Sequence, residues 1–213
     1  GGAGVRTRGR LRGRIRARAA PATARECAYF GAMPSAPVTL LNARAVARTI
    51  SRMADEILER NDGTERLILV GIQRRGVQIA QRIAAVIAER EGAVIPLGAL
   101  DITLYRDDLQ TVGPRPVVGQ THLPKAVDGQ VVVIVDDVLF TGRTIRAALD
   151  ELADFGRPSR IMLAVLVDRG GRELPIHADV VGQAVTVPPG GRVDVFVPEL
   201  DGKDEVTMVG GGT

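Results

Sequence analysis

Two rhythms of apolar residues run along this chain. Val46, Ile50, Met53 and Ile57 recur at spacings of three and four, so a helix with one apolar face is predicted up to about Arg60, with Asn42 as its cap. Asn61-Asp62-Gly63 ends it. Val77, Ala80, Ile83 and Ile87 repeat the pattern over Gly76–Glu91, and Gly92 stops that second helix. Leu67–Gly71 is a continuous apolar run and reads as a buried strand. Ala93–Leu97 and Asp101–Leu104 read as short strands, Val131–Val135 and Ile161–Val167 as longer ones. A third helix is predicted from Arg143 to about Asp154, and β-rich pieces return after Val180, at Val193–Val197 and Val206–Val209. Strand and helix in alternation predict an α/β domain: a mostly parallel sheet flanked by helices. Residues 106–129 have no period and contain Pro114, Pro116 and Pro124. A loop this long inside a compact domain is usually functional or mobile.

Composition narrows the picture. The chain has 213 residues, enough for one α/β domain with a small appendage. No apolar run approaches the roughly 20 residues that span a bilayer, so no membrane role is expected. Trp is absent and aromatics are scarce, which argues against base stacking as a main binding mode. Cys27 is the sole cysteine and cannot form an internal disulfide, in keeping with a cytoplasmic protein. Charge is unevenly placed. Residues 1–32 carry eight arginines and one acid, Glu26, a balance of +7; subtracted from the whole-chain +3, this leaves −4 for residues 33–213. That first segment has no apolar period and cannot bury enough surface to fold. It is either a basic arm for RNA phosphates or a disordered or non-native extension ahead of Met33, with the domain at 33–213.

Candidate chemistry concentrates at Val131–Thr144. Five β-formers lead into Asp136 and Asp137, followed by Val138, Leu139, Phe140 and then Thr141-Gly142-Arg143-Thr144 at a helix start. Free N–H groups and the dipole of a helix N-terminus favour an anion, and Gly142 permits close backbone approach. No Walker A string and no dinucleotide fingerprint is present, so a monophosphate fits best. Side chains alternate along a strand, so only one Asp need face a ligand. Where the strand breaks, both can reach a ribose diol, directly or through hydrated Mg²⁺. An ordinary helix cap with one structural Asp is the blander reading.

Val-Ile-Val-Asp-Asp-Val-Leu-Phe-Thr-Gly-Arg-Thr resembles the 5-phosphoribosyl 1-pyrophosphate (PRPP) motif of type I phosphoribosyltransferases. Four further strings narrow the resemblance: Leu69–Gly76, Asp101–Leu109, Gly156-Arg157-Pro158 and Ala164–Ile176. With them, residues 40–209 are similar to the bifunctional pyrimidine-operon attenuation regulators that are also uracil phosphoribosyltransferases. The resemblance implies a type I phosphoribosyltransferase-like, Rossmann-like fold with a small hood from the chain ends. It implies that Asp136 and Asp137 hold the ribose hydroxyls and Mg²⁺, and that Val138, Leu139, Phe140, Thr141, Gly142, Arg143 and Thr144 wrap the 5′-phosphate. Gln73-Arg74-Arg75-Gly76 is expected to bind pyrophosphate, where the family often has a strained peptide. Arg106 opens the loop that closes over the site in this superfamily, and Val167, Asp168 and Arg169 are expected near uracil. Two departures stand out: Arg74 where relatives commonly carry Thr, and Gly171 where they often carry His.

The implied reaction is uracil plus PRPP to UMP plus pyrophosphate, with Arg74, Arg75, Arg106 and Mg²⁺ stabilising the leaving group as its charge grows. No dedicated base is evident: His122 falls in the long loop and His177 is expected to be structural. The implied second role is UMP-favoured binding of pyrimidine-operon leader mRNA. Arg44, Arg48 and Arg52 share a helix face and are the candidate phosphate contacts, against the simpler reading of a solvated face. A homodimer or higher homo-oligomer is expected. Two alternatives stay open: a phosphoribosyltransferase for another base such as a purine, and an RNA-binding attenuator with negligible catalysis.

Overall fold

The structure, a computed structural model, describes residues 36–105, 121–124 and 126–210. The expectations for residues 1–32, for Arg106 and for the centre of the long loop lie outside the described residues.

Five parallel strands form the main sheet in the order β3-β2-β4-β5-β6: β2 (Leu67–Ile72), β3 (Leu97–Leu100), β4 (Val131–Leu139), β5 (Arg160–Asp168) and β6 (Val180–Ala184). Both faces of this sheet are covered. Leu67, Leu69, Val133 and Val135 pack with Val46 and Ile50 of α1 (Ala43–Asn61) and Ile79 and Ile83 of α2 (Arg75–Glu91). Ile68, Val70, Val132 and Ile134 face the other way, onto Ile145, Ala148 and Leu152 of α3 (Arg143–Ala153). The central strands therefore lack polar alternation, and each such buried side chain contributes roughly 1.5–3 kcal/mol.

The helix ends follow their chemistry. The Asn42 side chain accepts the Ala45 N–H at 3.0 Å, and Asp62 takes the left-handed conformation that closes α1. Gly92 does the same for α2. The hood is a three-stranded antiparallel sheet, β1-β8-β7, built from both ends of the described chain: β1 (Val38–Leu41), β7 (Arg192–Phe196) and β8 (Glu205–Val209). The short helix α4 (Pro198–Asp201) joins β7 to β8.

Four expectations need correction. The strand predicted over Asp101–Leu104 is a 3₁₀ turn at Ile102–Tyr105, because the Asp101 carboxylate accepts the Thr103 N–H and hydroxyl at 3.0 and 2.5 Å. The strand predicted over Ala93–Leu97 begins only at Leu97; Pro96, ahead of it, has no N–H to give a ladder, and its carbonyl accepts the Leu69 N–H. Strand β4 does not stop at Val135 but continues through both acids, since Val138 and Leu139 pair with Val167 and Asp168. His122 is not adrift in a loop: its backbone pairs with Ala99 in both directions, at 2.8 and 2.9 Å.

Candidate active site

The carboxyl ends of β2 and β4 open onto a cleft of about 270 Å³, lined by Gln73, Arg74, Arg75, Asp101, Thr103, Asp136, Asp137, Val138 and Thr144 among others. Ligands of open α/β sheets bind at this edge. Two glycines let the elements converge. A Cβ on Gly76 would lie 2.4 Å from the Val135 carbonyl oxygen, and one on Gly71 would lie 2.4 Å from Val77 Cα. The start of α2 thus presses against β2 and β4 and brings Arg74 and Arg75 beside the acids. The Gln73–Arg74 peptide is cis.

Asp136 and Asp137 both line the cleft, although they are adjacent in one strand. Asp136 Oδ1 accepts the Asp137 N–H at 2.9 Å, and Asp137 Oδ1 accepts the Val138 N–H at 2.8 Å. Burial pushes the Asp136 carboxyl well above the usual carboxylate range, and the neighbouring Asp137 charge pushes it further. Burial also raises Asp137, against the opposing pull of the Val138 N–H and the Arg75 charge. Arg75 is raised in turn, first through its bond to Asp201. That bond is bidentate, Nη2 to Oδ1 at 2.9 Å and Nε to Oδ2 at 3.2 Å, so the hood reaches into the site. Of the two arginines expected at the pyrophosphate, Arg75 is therefore already engaged by a carboxylate.

The expected phosphate loop follows β4. Val138 and Thr144 line the cleft, and Gly142 caps α3 in a left-handed conformation without offering a side chain. First-turn N–H groups at such an end have no partner within the helix and suit an anion. The Thr141 hydroxyl accepts the Arg143 N–H at 3.3 Å, and Arg143 pairs with Glu173 at 2.8 Å, both side chains about half exposed. The Leu139 side chain is buried in the core, so Leu139 can serve the loop only through its backbone. Phe140 is exposed and carries the Arg169 guanidinium 4.0 Å above its ring.

The expected base residues sit at the end of β5, beside the loop. Val167 is buried. Asp168 accepts bonds from Arg172 at 2.5 Å and from the Gly170 N–H at 2.9 Å, and its carboxyl is held below the usual range because these bonds outweigh burial. Arg169 donates to the Gly191 carbonyl at 2.8 Å. Gly171 has φ +78°, and a Cβ there would sit 2.5 Å from Phe140 Cε2, so in this chain the ring fills the space of a side chain. His177 is exposed rather than built into the core.

The RNA candidates divide. Arg44 and Arg48 are exposed on α1. Arg52 is not a free phosphate contact: it donates to the Val181 carbonyl at 3.0 Å and to the Gly182 carbonyl, and pairs with Glu56 at 3.5 Å. Several residues at the site do not announce themselves in the sequence. Asp101 and Thr103 enter the cleft wall, and the Asp-x-Thr turn pattern is the signal that points to them. Behind them Glu151 of α3 contacts the Thr121 hydroxyl, which also accepts the Asp101 N–H at 3.0 Å. Burial raises the Glu151 carboxyl. Among the described residues no helix is long and apolar enough to cross a membrane.

Paired acids on a strand end, an adjoining basic turn and a glycine-capped helix define a phosphoribosyltransferase-type site. The profile of the phosphoribosyl transferase domain matches residues 38–190. Solved structures agree on the fold. A hypoxanthine phosphoribosyl transferase of Trypanosoma cruzi superposes with a TM-score of 0.60 at 15% identity, over 81% of this chain and 90% of that one. A hypoxanthine-guanine phosphoribosyltransferase of Bacillus anthracis gives 0.58 at 15%, over 80% and 96%. Sequence relatives are far nearer. The bifunctional protein PyrR of Chloroflexus aurantiacus is 58% identical over 81% of this chain and 94% of its own length. That of Thermus thermophilus is 57% identical over 79% and 93%. The chain belongs to the PyrR family of phosphoribosyltransferases.

Proposed function

We propose that this phosphoribosyltransferase transfers the phosphoribosyl group of PRPP to uracil, in the cytoplasm, and that it also binds pyrimidine-operon leader mRNA under the control of UMP. The observation that carries the first part is the pair Asp136–Asp137, held between the Arg74–Arg75 turn and the start of α3 in one cleft. The bound sugar would lie across the acids, with its 5′-phosphate at the α3 end and its pyrophosphate at the arginine turn. Asp136 and Asp137 would accept the ribose hydroxyls and fix C1′ for attack. Arg74 would meet the charge that grows on leaving pyrophosphate, with Arg75 behind it, and Arg106, outside the described residues, would join them. Asp168 and Arg169 would orient the uracil ring so that N1 faces C1′.

The donor set suits Mg²⁺. The two carboxylates lining the cleft are hard oxygen donors, and such an ion is bound through one or two carboxylates plus substrate oxygens. When bound, it would supply charge neutralisation on the pyrophosphate.

The test is pyrophosphate release from PRPP with uracil, hypoxanthine, guanine and orotate in parallel. Release with uracil alone is expected; release with hypoxanthine and not uracil overturns the assignment of the base. The regulatory half is supported by relatives called bifunctional and by the exposed Arg44 and Arg48. A gel shift with a pyrimidine-operon leader hairpin is expected to strengthen on adding UMP. No shift at micromolar protein would retire that half. Light scattering is expected to find a homodimer or larger assembly.

A further inference from the structure

The segment after β5 makes an unusual set of contacts with the phosphate loop. Three successive loop carbonyls all turn towards it. The Leu139 carbonyl accepts the Arg169 N–H at 3.1 Å and Arg172 Nη1 at 3.4 Å. The Phe140 carbonyl accepts Arg172 Nη1 at 2.9 Å. The Thr141 carbonyl accepts the N–H groups of Glu173 and Leu174 at 3.0 and 3.1 Å. In a trans peptide the carbonyl and the N–H of the next residue point opposite ways. Carbonyls 139–141 held on one side therefore turn the N–H groups of Phe140, Thr141 and Gly142 to the other, as a set of anion donors.

Arg172 is the keystone of this arrangement. Its side chain is only 16% exposed and every arm of the guanidinium is used. Besides the loop carbonyls, Nε donates to the Ile176 carbonyl at 2.9 Å and Nη2 to Asp168 at 2.5 Å. The same segment closes over Gly142, where a Cβ would meet Ile176 at 3.3 Å and Leu174 at 3.4 Å. One planar fork thus ties the anion loop, the expected base carboxylate and the chain that covers them. A lysine has one head and cannot hold such divergent acceptors together.

We propose that Arg172 is a positioning residue for the phosphate loop: it touches no substrate, but it sets the peptides at 139–141 so that their N–H groups converge on the 5′-phosphate. Through Asp168 it also links occupancy of that loop to the base end. The inference rests on the reading of the cleft as a PRPP site. It separates the two anion sites of that cleft: Arg172 holds the loop after β4, whereas Arg75 of the arginine turn is held by Asp201 of the hood.

The experiment is calorimetric titration, in Mg²⁺ buffer, of ribose 5-phosphate and of pyrophosphate separately into the whole protein and into Arg172→Gln and Arg172→Lys. Wild type is expected to bind both. Arg172→Gln is expected to lose at least about tenfold in affinity for ribose 5-phosphate while pyrophosphate binding stays within about twofold, and Arg172→Lys is expected to recover only part of the loss. Equal weakening of both ligands, or unchanged ribose 5-phosphate binding, overturns the proposal. If Arg172→Gln fails to melt cooperatively, amide hydrogen exchange on wild type decides: ribose 5-phosphate, and not pyrophosphate, is expected to slow exchange at Arg169, Glu173 and Leu174. Unchanged exchange there overturns the proposal. Wild type that binds neither ligand refutes the PRPP reading itself, a result distinct from any difference between variants.

Discussion

Asp136→Asn is expected to make the protein more stable and inactive. Asp136 is only 6% exposed, and a second carboxyl follows it in the same strand. Burial and the Asp137 charge both raise its proton affinity, while Arg75, the cation that opposes this at Asp137, is shared with Asp201. A carboxyl whose folded value is raised favours folding at low pH. As pH climbs past the ordinary carboxylate value of about 4 and through the raised one, that contribution is lost. Asparagine has no charge to lose. Its Oδ1 can keep the Asp137 N–H bond, and its amide N–H can donate to the Asp137 carboxylate. Relief of one buried, repelled charge is worth about 1–2 kcal/mol at pH 8, or about 2–8 °C in Tm for a domain of this size. Thermal melts without ligand at pH 8 and pH 4 measure it. The gain is expected at pH 8 and nearly absent at pH 4. A variant no more stable than wild type at pH 8, or equally more stable at both, would show that the Asp136 charge does not destabilise the fold. Uracil-dependent pyrophosphate release by the variant is expected to fall at least about a hundredfold.

Other perturbations probe the frame around the site. Gly76→Ala places a methyl 2.4 Å from the Val135 carbonyl oxygen, and is expected to cost about 1–3 kcal/mol in urea unfolding and to lower kcat/KM as the arginine turn shifts. Asp201→Asn breaks a partly exposed bidentate pair; about 0.5–1 kcal/mol of stability is expected to go, with the difference shrinking at high salt. Arg44→Gln and Arg48→Gln are each expected to reduce the salt slope of leader-RNA binding by about 0.7 and leave Tm unchanged. Arg52→Gln, whose arginine holds the β6 carbonyls, is expected to lower Tm.

The core strands and helices were legible because burial dictates them directly. The runs at 67–72, 131–135 and 161–167 need apolar residues on both faces, and α1 and α2 show one apolar stripe each. Elements decided by distant partners were harder. β1 pairs with β8 across almost the whole chain, and nothing in Val38–Leu41 alone announces it. The Asp101 turn was masked because its apolar neighbours resemble a strand, while a local side-chain bond decides the backbone. The acids of the site stood out for a related reason: two adjacent carboxylates after five β-formers conflict with burial unless a function holds them there. Residues that work through others carry no such conflict. Arg172 and Asp201 look like ordinary surface charges until the fold brings them to Phe140 and Arg75.

The proposed function stands on a PRPP site at the ends of β2 and β4, with the paired acids on its floor. Calorimetric titration of PRPP with Mg²⁺ into wild type and Asp137→Asn tests it most directly. Saturable one-site binding to wild type, weakened at least about a hundredfold in the variant while its fold is retained, is the predicted result. PRPP binding of equal strength to both proteins would contradict the account.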